Sequence, residues 1–290
     1  MGSRAIFCFV LGCCMMLSSC NTLQSLPNSK KELDLQVMSY NIRFAEEEKG
    51  EISWSNRKDL LLTQLKEVPV DIYLLQEPLD KQIEDIKEAL TNYNFVGHRR
   101  IENVKWGGYN AIFYKKDKFK LLESNTFWLS ETPEVESKGW DAFQVTIATY
   151  ALLKDIDTGK KFFILNTHLD RVGETAKIES LKLIKKKIDE INNKKLSVII
   201  GGDFNSKETT APIAYFDKYF KDSKKVSHQE ALGPKGTFNY FNSRASHRYR
   251  IDYIYVSQEI EVKSYEVLDY KYEDRYPSDH YPVYVEMTIP

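Results

Sequence analysis

Apolar residues along this chain form either short continuous runs or repeats every three or four positions. The runs predict strands, and the repeats predict helices. Residues 35–41 form a short, largely apolar run that is typical of a buried strand, and residues 71–76 form another. Between them, residues 54–68 repeat apolar side chains every three or four positions, which predicts a helix with one buried face. A second amphipathic helix follows, and Asp80 is its expected N-cap.

The second half of the chain continues this alternation. Strand-like runs are predicted at residues 110–114, 145–154, 161–167, 196–200, 250–257 and 282–289. The turn residues Asp157, Thr158 and Gly159 predict a hairpin between two of these strands, and a short helix is expected at residues 211–220. Strands outnumber helices, and many strands carry aromatic residues. We therefore expect an α/β fold in which two β-sheets face each other and the helices lie outside.

The longest predicted helix covers residues 174–193 and is amphipathic. Its expected inner face carries Ile178, Leu181, Ile184, Ile188 and Ile191. The lysines of the same helix are Lys182, Lys185, Lys186 and Lys187. Such a run of charge normally forms a solvated face, and a nucleic-acid-binding patch is the alternative.

Composition and charge limit the classes of protein to which this chain can belong. Its 290 residues are 42% hydrophobic and 29% charged, which excludes a disordered chain, a collagen-like repeat and a multi-span membrane protein. The formal net charge of −1 provides no broad basic field for sequence-independent binding to nucleic acid. Because no Gly-, Ser- or Pro-rich break and no repeat interrupts residues 33–290, these residues are expected to form one domain.

The four cysteines all lie within the first 20 residues, which excludes disulfides and thiolate chemistry from the body of the protein. The apolar run at residues 5–17 is too short to span a membrane but suits a secretory signal. It ends at Leu17-Ser18-Ser19-Cys20, which resembles a bacterial lipobox. We therefore expect a signal peptide at residues 1–19, a lipid on Cys20, a tether at residues 20–32 and an extracytoplasmic location at the cell envelope. An ordinary signal peptide and a buried helix are the alternatives.

Polar residues interrupt the apolar runs where the predicted strands end. They fall at residues 39–43, 75–78, 166–170, 201–205 and 278–280. An acid or histidine at the end of a buried strand costs free energy unless it is paired or used. Strand ends are also where open sheets build binding sites. Oxygen-rich side chains without thiolates suit a hard cation such as Mg²⁺.

Six segments, in this order, resemble the endonuclease/exonuclease/phosphatase superfamily, whose fold is that of pancreatic deoxyribonuclease. They are Ser39-Tyr40-Asn41, Gln76-Glu77, Asn166-Thr167-His168, Gly202-Asp203-Phe204-Asn205, Arg250-Ile251-Asp252-Tyr253-Ile254 and Ser278-Asp279-His280-Tyr281-Pro282-Val283. Trp54 with Arg57, residues 126–130 and residues 139–141 are similar to bacterial secreted members related to nocturnin-type enzymes. The resemblance covers nearly all of residues 33–290. It implies a four-layer sandwich of two mixed β-sheets flanked by helices, and hydrolysis of phosphoester bonds with Mg²⁺ or Mn²⁺.

The resemblance also implies roles for the residues at the strand ends. Glu77 would hold the metal, helped by Asn41 and Asp279. Asp203 would orient or deprotonate the attacking water, and Asn205 would polarise the phosphate.

Two histidines complete the implied catalytic group. His280, paired with Asp252, and His168 would meet the charge that builds on the phosphoryl oxygens or on the leaving group. Displacement at phosphorus needs little more than a cation, an oriented water and donors aimed at the phosphoryl oxygens.

Three positions depart from the superfamily pattern. Arg43 stands where some members carry a second acid, which favours a one-metal site and places a cation near the phosphate. Arg171 stands where related bacterial members often have histidine. Gly107-Gly108 stands where an acid commonly supports the second histidine, so the orientation of His168 is left open. The expected substrate-binding residues are Arg43, Tyr109, Asn110 and Arg171.

The sequence therefore predicts a lipid-anchored, metal-dependent phosphodiesterase or phosphatase. A nuclease acting on DNA or RNA, and a phospho-ligand-binding lipoprotein without turnover, are the alternatives. The near-zero charge favours a small or terminal phosphoester over internal cleavage of long DNA. The expected partners are a small molecule, a lipid headgroup or a nucleic-acid end, together with the membrane, and the sequence indicates no protein partner.

Overall fold

The structure is a computed structural model that describes Gly2 and residues 31–45, 50–102, 104, 107–242 and 249–290. Residues 31–290 form one compact unit. Apart from Gly2, the expected signal peptide lies outside the described residues, as do Cys20 and nearly all of the expected tether. Within the described part, no helix is long and apolar enough to cross a membrane.

The described part of this unit contains twelve strands and five helices. The strands are β1 (Leu33–Asn41), β2 (Ile72–Gln76), β3 (Tyr93–Val96), β4 (Asn110–Lys115), β5 (Phe119–Trp128), β6 (Ile147–Asp155), β7 (Lys161–His168), β8 (Ser197–Asp203), β9 (Lys221–Asp222), β10 (Asp252–Val256), β11 (Glu261–Val267) and β12 (Val283–Ile289). The helices are α1 (Trp54–Glu67), α2 (Asp80–Ala89), α3 (Glu174–Ile191), α4 (Ala211–Phe216) and α5 (Ser223–Val226).

These strands form two six-stranded mixed sheets. The first sheet has the order β11-β12-β1-β2-β4-β3, and the second has the order β5-β6-β7-β8-β10-β9. In each sheet one neighbouring pair is parallel, β1 with β2 and β7 with β8, and the remaining pairs are antiparallel. The predicted fold class, two mixed sheets flanked by helices, is confirmed.

Alternating side chains of each central strand supply two different cores, so that these strands are apolar on both faces. In β1, Leu35 and Val37 belong to the core between the two sheets. Met38 and Tyr40 point the other way and pack with residues of α1 and α2. A third core joins α3 to the outer face of the second sheet. The result is a sandwich of four layers.

Buried amides connect the two sheets near the ends of their central strands. Gln76 Nε2 of the first sheet donates to Asn166 Oδ1 of the second at 2.7 Å. Asn166 Nδ2 donates back to the carbonyl oxygens of Leu75 and Ala111, at 3.0 and 2.8 Å. These directional bonds align one sheet with the other, which apolar contacts alone do not do.

Two details of the predicted helices are wrong. Leu79, not Asp80, occupies the N-cap position of α2, and the Asp80 carboxylate instead pairs with Arg99. On α3, Ile178 is only half-buried, whereas Lys177 and Ser180 are buried. The lysines at 182, 185, 186 and 187 each form an ion pair with an acid, as expected of a solvated face.

The first prediction concerns Gly202 in β8. Its φ is 149°, and a Cβ atom there would lie 1.8 Å from the carbonyl oxygen of Thr167 in the neighbouring strand. We expect Gly202→Ala to lower the free energy of unfolding by about 2–5 kcal/mol, because strain and overpacking combine. Denaturant unfolding followed by circular dichroism measures this loss.

Gly159, in the hairpin between β6 and β7, is the matched control. It also has a positive φ, 72°, but the nearest atom to its added Cβ would be Lys154 Cε at 3.8 Å. Gly159→Ala should therefore cost only the left-handed backbone strain, about 1–2 kcal/mol. Equal losses in the two variants would contradict the close approach of β7 and β8 at Gly202.

Candidate active site

Residues of the sequence motifs meet at one edge of the sandwich, where strands of both sheets end. Asn41 ends β1 beside Gln76, which ends the parallel strand β2. His168 ends β7 beside Asp203, which ends the parallel strand β8. Asp203 also faces Asp252, the first residue of the antiparallel strand β10. Each sheet therefore contributes half of the group.

The Asn41 amide joins the two halves. Its Nδ2 atom donates to Glu77 Oε1 at 3.2 Å and to Asp203 Oδ2 at 3.1 Å. Its Oδ1 atom accepts a hydrogen bond from the Arg43 backbone N–H at 3.0 Å. Because the amide nitrogen faces the carboxylates, Asn41 in this arrangement orients Glu77 rather than acting as a second oxygen ligand beside it.

Glu77 lies just past the end of β2 in a left-handed backbone conformation, with φ of 73°. Its Oε2 atom accepts from the Phe44 backbone N–H at 3.0 Å. Burial alone would raise the pKa of Glu77, but the nearby His168 and these hydrogen bonds lower it below its usual range. Glu77 is therefore ionised at neutral pH.

His280 and Asp252 form a buried hydrogen-bonded pair. The His280 Nδ1 atom lies 2.9 Å from Asp252 Oδ2, and its Nε2 atom lies 3.7 Å from Asp203 Oδ2. Burial would lower the pKa of His280, but the charge and hydrogen bond of Asp252 outweigh it and raise the pKa to about 10. Burial, together with the charge of Asp252, raises the pKa of Asp203 to about 6.

His168 lies between two carboxylates, not beside an acid of its own. Its Nε2 atom is 3.4 Å from Asp203 Oδ2, and its Nδ1 atom is 3.9 Å from Glu77 Oε1. On the side where the superfamily pattern has an acid, Gly108 borders a cavity of about 10 Å³, which Glu77 and Arg100 also line. A volume of this size suits one water molecule. The carboxylates of the site thus hold His168 in place.

Asp279 faces the same group from the loop before β12. The preceding Ser278 donates its hydroxyl to the Asn41 carbonyl oxygen at 2.7 Å, which fixes this loop to the end of β1. Burial, with the charge of Glu77, raises the pKa of Asp279, although His280 and Arg43 oppose the rise. The Arg43 guanidinium lies 3.9 Å from the Asp279 carboxylate.

The other predicted site residues have different surroundings. Asn205 donates its backbone N–H to Asp203 Oδ1 and its side-chain amide to the Leu169 carbonyl oxygen, both at 2.9 Å. Asn110 Nδ2 donates to the Ile147 carbonyl oxygen, and the Tyr109 hydroxyl donates to Asp80. Tyr109 and Asn110 thus line the small cavity but bind protein atoms, and are not among the side chains that surround Asp203.

Two arginines of the site carry no role in the sequence motifs. Arg57 is fully buried and donates to the carbonyl oxygens of Ile42, Arg43 and Pro277, so that it joins the loops which carry Arg43 and Asp279. Arg100 lines the small cavity. Trp54 with Arg57 was recognisable in the sequence only as part of the family resemblance, and nothing in the pattern around Arg100 distinguishes it from a surface arginine.

The acidic side chains of the site fit a hard divalent cation. Ligand atoms of Asp203, Asp252 and His280 lie within 4.8 Å of one another, and Asp252 Oδ1 is buried without a hydrogen-bond partner among the described residues. Glu77 and Asp279 offer two further carboxylates that repel each other, as the raised pKa of Asp279 reflects. Because His280 is already bonded to Asp252, Glu77 and Asp279 are the ligands that a cation would engage without breaking a hydrogen-bonded pair.

Comparison with known proteins identifies the family of this chain. The model of the endonuclease/exonuclease/phosphatase family matches residues 38–280. The chain belongs to this family. Its members are hydrolases that act on phosphoesters, and they generally depend on divalent metals. The family membership expected from the six sequence segments is confirmed.

Individual members of the endonuclease/exonuclease/phosphatase family differ in their similarity to this chain. A mannosyl-6-phosphatase of Bacteroides thetaiotaomicron VPI-5482 is 37% identical, with a TM-score of 0.81 over 87% of this chain and 99% of that one. The human nocturnin catalytic domain, with a bound sulfate anion, shares the fold at 23% identity and a TM-score of 0.68 over 89% and 96%.

The matched curated relatives are covered only in part by this chain. A CCR4-Not complex 3'-5'-exoribonuclease subunit of Kluyveromyces lactis is 26% identical in an alignment of 303 positions, which covers 82% of this chain and 38% of that protein. The chain spans less than two thirds of the length of the first two curated relatives that it matches.

The second prediction concerns Asp170, which follows the His168 segment and is fully buried. Its carboxylate accepts backbone N–H bonds from Gln144, Val172 and Gly173, at 3.0, 2.9 and 2.7 Å. Burial would raise the pKa of Asp170, but these bonds lower it below its usual range. A carboxylate with a lowered folded-state pKa stabilises the protein above its unfolded-state pKa, and this stability is lost as the pH falls through the folded-state value.

We therefore expect Asp170→Asn to lower the free energy of unfolding at pH 7 by about 1–3 kcal/mol. The difference in unfolding free energy between Asp170→Asn and the natural protein should narrow as the pH falls below about 4, because Asp170 of the natural protein then becomes protonated and neutral, like the asparagine. Urea unfolding at a series of pH values measures it, with Asp157→Asn in the exposed hairpin turn as the control. A difference that is constant with pH would show that the charge of Asp170 does not act as described.

Proposed function

We propose that this protein is a metal-dependent hydrolase of small or terminal phosphoesters, in which Asp203 activates the attacking water. The buried group in which Asp203 meets Asn41, His168 and His280 carries this proposal. Such a concentration of ionisable groups at a sheet edge is costly to folding and is typical of a catalytic site.

Asp203 is the side chain best suited to accept a proton. It lies at the centre of the group, and its raised pKa makes it more basic than an ordinary aspartate while it stays ionised at neutral pH. Its Oδ1 atom is fixed by the Asn205 backbone N–H, so that Oδ2 faces the histidines and the Asn41 amide. A water that meets Oδ2 is oriented for attack on phosphorus.

The histidines act as donors to the phosphate. His280 has a raised pKa and is protonated at neutral pH, with its Nδ1 atom held by Asp252. Its Nε2 atom is then a charged donor that can meet the growing negative charge on the phosphoryl oxygens. His168 Nε2 lies 3.4 Å from the same oxygen, Asp203 Oδ2, and contributes a second donor.

Glu77 and Asp279 would hold a divalent cation, Mg²⁺ or Mn²⁺. A cation of this kind, when bound, offsets the charge of the phosphate and of the developing transition state. Asn41 holds the Glu77 carboxylate in place through Nδ2, and Ser278 holds the Asp279 loop.

Charge supports a small or terminal substrate over long nucleic acid. The net charge of the chain is −1, and the lysines of α3 are paired with acids. Neither the overall charge nor this helix therefore provides strong electrostatic attraction for a long nucleic acid. The likeness to a bacterial mannosyl-6-phosphatase at 37% identity supports a small phosphoester. The likeness to an exoribonuclease subunit supports the alternative, a nucleic-acid end, at lower identity.

The third prediction separates metal binding from water activation. Glu77→Gln should weaken binding of Mg²⁺ or Mn²⁺, and EDTA should abolish hydrolysis reversibly in the natural protein. Asp203→Asn should leave metal affinity nearly unchanged but lower kcat by about 10²-fold or more, because the proton acceptor is lost. Calorimetric titration of metal and steady-state kinetics on a small phosphoester measure the two effects. Equal loss of metal affinity in both variants would show that these roles are wrongly assigned.

The fourth prediction concerns the membrane anchor, which the lipobox at residues 17–20 supports. We propose that Cys20 carries the lipid after removal of residues 1–19. Mass spectrometry of membrane-extracted protein should then find a lipidated Cys20 as the first residue, and Cys20→Ala should release the protein from the membrane. Cys14→Ala serves as the control, because it lies in the segment that is removed. An intact N-terminus in the natural protein would contradict the anchor.

A further inference from the structure

Hydrogen bonds fix the backbone of Arg100 at the wall of the small cavity. Its backbone N–H donates to the Gly108 carbonyl oxygen at 3.2 Å, and its own carbonyl oxygen accepts from Trp128 Nε1 at 2.9 Å. Its side chain borders the same cavity as Glu77 and His168. The backbone of Arg100 is therefore fixed beside the catalytic group, and its side chain borders the cavity next to that group.

The Arg100 guanidinium lacks a protein partner among the described residues. Its Nε atom is buried and makes no hydrogen bond, and no carboxylate of the described chain lies within ion-pair distance of it. The neighbouring Arg99, in contrast, is paired with Asp80. Burial lowers the pKa of Arg100 and the charge of Arg171 lowers it further, although the charges of Glu77 and Asp170, which lie beyond ion-pair distance, oppose this shift. An unpaired buried cation costs free energy unless a ligand provides the missing charge.

Arg171 is the second cation at this position. It follows the His168 segment and lies over the Phe143 ring, 4.6 Å from the ring centroid. Within the described residues its guanidinium has no carboxylate partner, because the adjacent Asp170 carboxylate is occupied by three backbone N–H groups. Neither arginine has a carboxylate at ion-pair distance among the described residues, and the two repel each other. Beside the catalytic group they form a site for an anion of high charge density.

We propose that Arg100 and Arg171 together bind the non-bridging oxygens of a phosphate monoester dianion, and that the protein is a phosphomonoesterase. This inference rests on the proposed hydrolase function and deepens it. A monoester carries close to two negative charges at neutral pH. A diester carries one, and its second ester group occupies an oxygen that an arginine would otherwise bind. Two unpaired guanidinium groups, each with several N–H donors, therefore match the monoester in charge and in the number of acceptors.

The test compares two substrates that share one leaving group, 4-nitrophenyl phosphate and bis(4-nitrophenyl) phosphate, with Mg²⁺ and with Mn²⁺ at neutral pH. The natural protein should show the higher kcat/KM on the monoester. Arg100→Met and Arg171→Met should each lower kcat/KM on the monoester by about 10²-fold, while the diester value changes by less than about threefold. Arg99→Met, at the paired neighbour, should change neither.

A binding measurement tests the phosphate site without relying on substrate hydrolysis. Calorimetric titration with inorganic phosphate should give a dissociation constant that rises about tenfold or more in Arg100→Met, with Arg100→Lys intermediate because lysine cannot bind two oxygens in a fork. Thermal unfolding of each variant shows whether it is folded.

The outcomes distinguish this inference from the hydrolase proposal. If the natural protein hydrolyses the diester as fast as the monoester, or nicks plasmid DNA efficiently, the monoesterase assignment is overturned while the hydrolase proposal stands. If neither ester is hydrolysed with any metal, the hydrolase proposal is overturned. If a folded Arg100→Met variant binds phosphate as tightly as the natural protein, Arg100 is not part of an anion site.

Discussion

The site depends on the alignment of two sheets that are joined by hydrogen bonds of buried side-chain amides. Asn41 of the first sheet holds Asp203 of the second, and the Gln76–Asn166 amide pair fixes the same edge from inside the core. Apolar packing between sheets is tolerant of small shifts, whereas a buried amide left without its partner is costly. The hydrogen bonds between the sheets therefore set the relative position of Glu77 and Asp203, which arise from different sheets.

Charge balance is the second constraint on this edge. Glu77, Asp203, Asp252 and Asp279 bring four buried or nearly buried carboxylates together, and each histidine lies near at least two of them. His280 is fixed in a pair, while His168 is held between carboxylates of both sheets because position 108 is glycine. The two histidines are therefore unequal, and only His280 has an acid of its own.

The sequence predicts much of this fold for a physical reason. Strands such as β1 and β2 are buried on both faces, so their apolar runs are unmistakable. The edge strand β5 is mostly exposed and polar, and β11 is interrupted by a register shift between Val262 and Ser264, so neither gives a clear pattern. Motif residues at strand ends were predictable. Arg100 was not, because its surroundings come from β5 and from loops distant in sequence.

In the loop after β7, one residue fixes the backbone and the next residue provides a functional side chain. Asp170 fixes the backbone after β7 with a carboxylate that needs no other side chain, whereas Arg171 is exposed and, within the described part of the chain, packs on the Phe143 ring. An exchange at position 171 therefore leaves the folding free energy of the loop almost untouched. Such a position is open to evolutionary change, because a descendant enzyme can acquire a new substrate there without first gaining stability elsewhere.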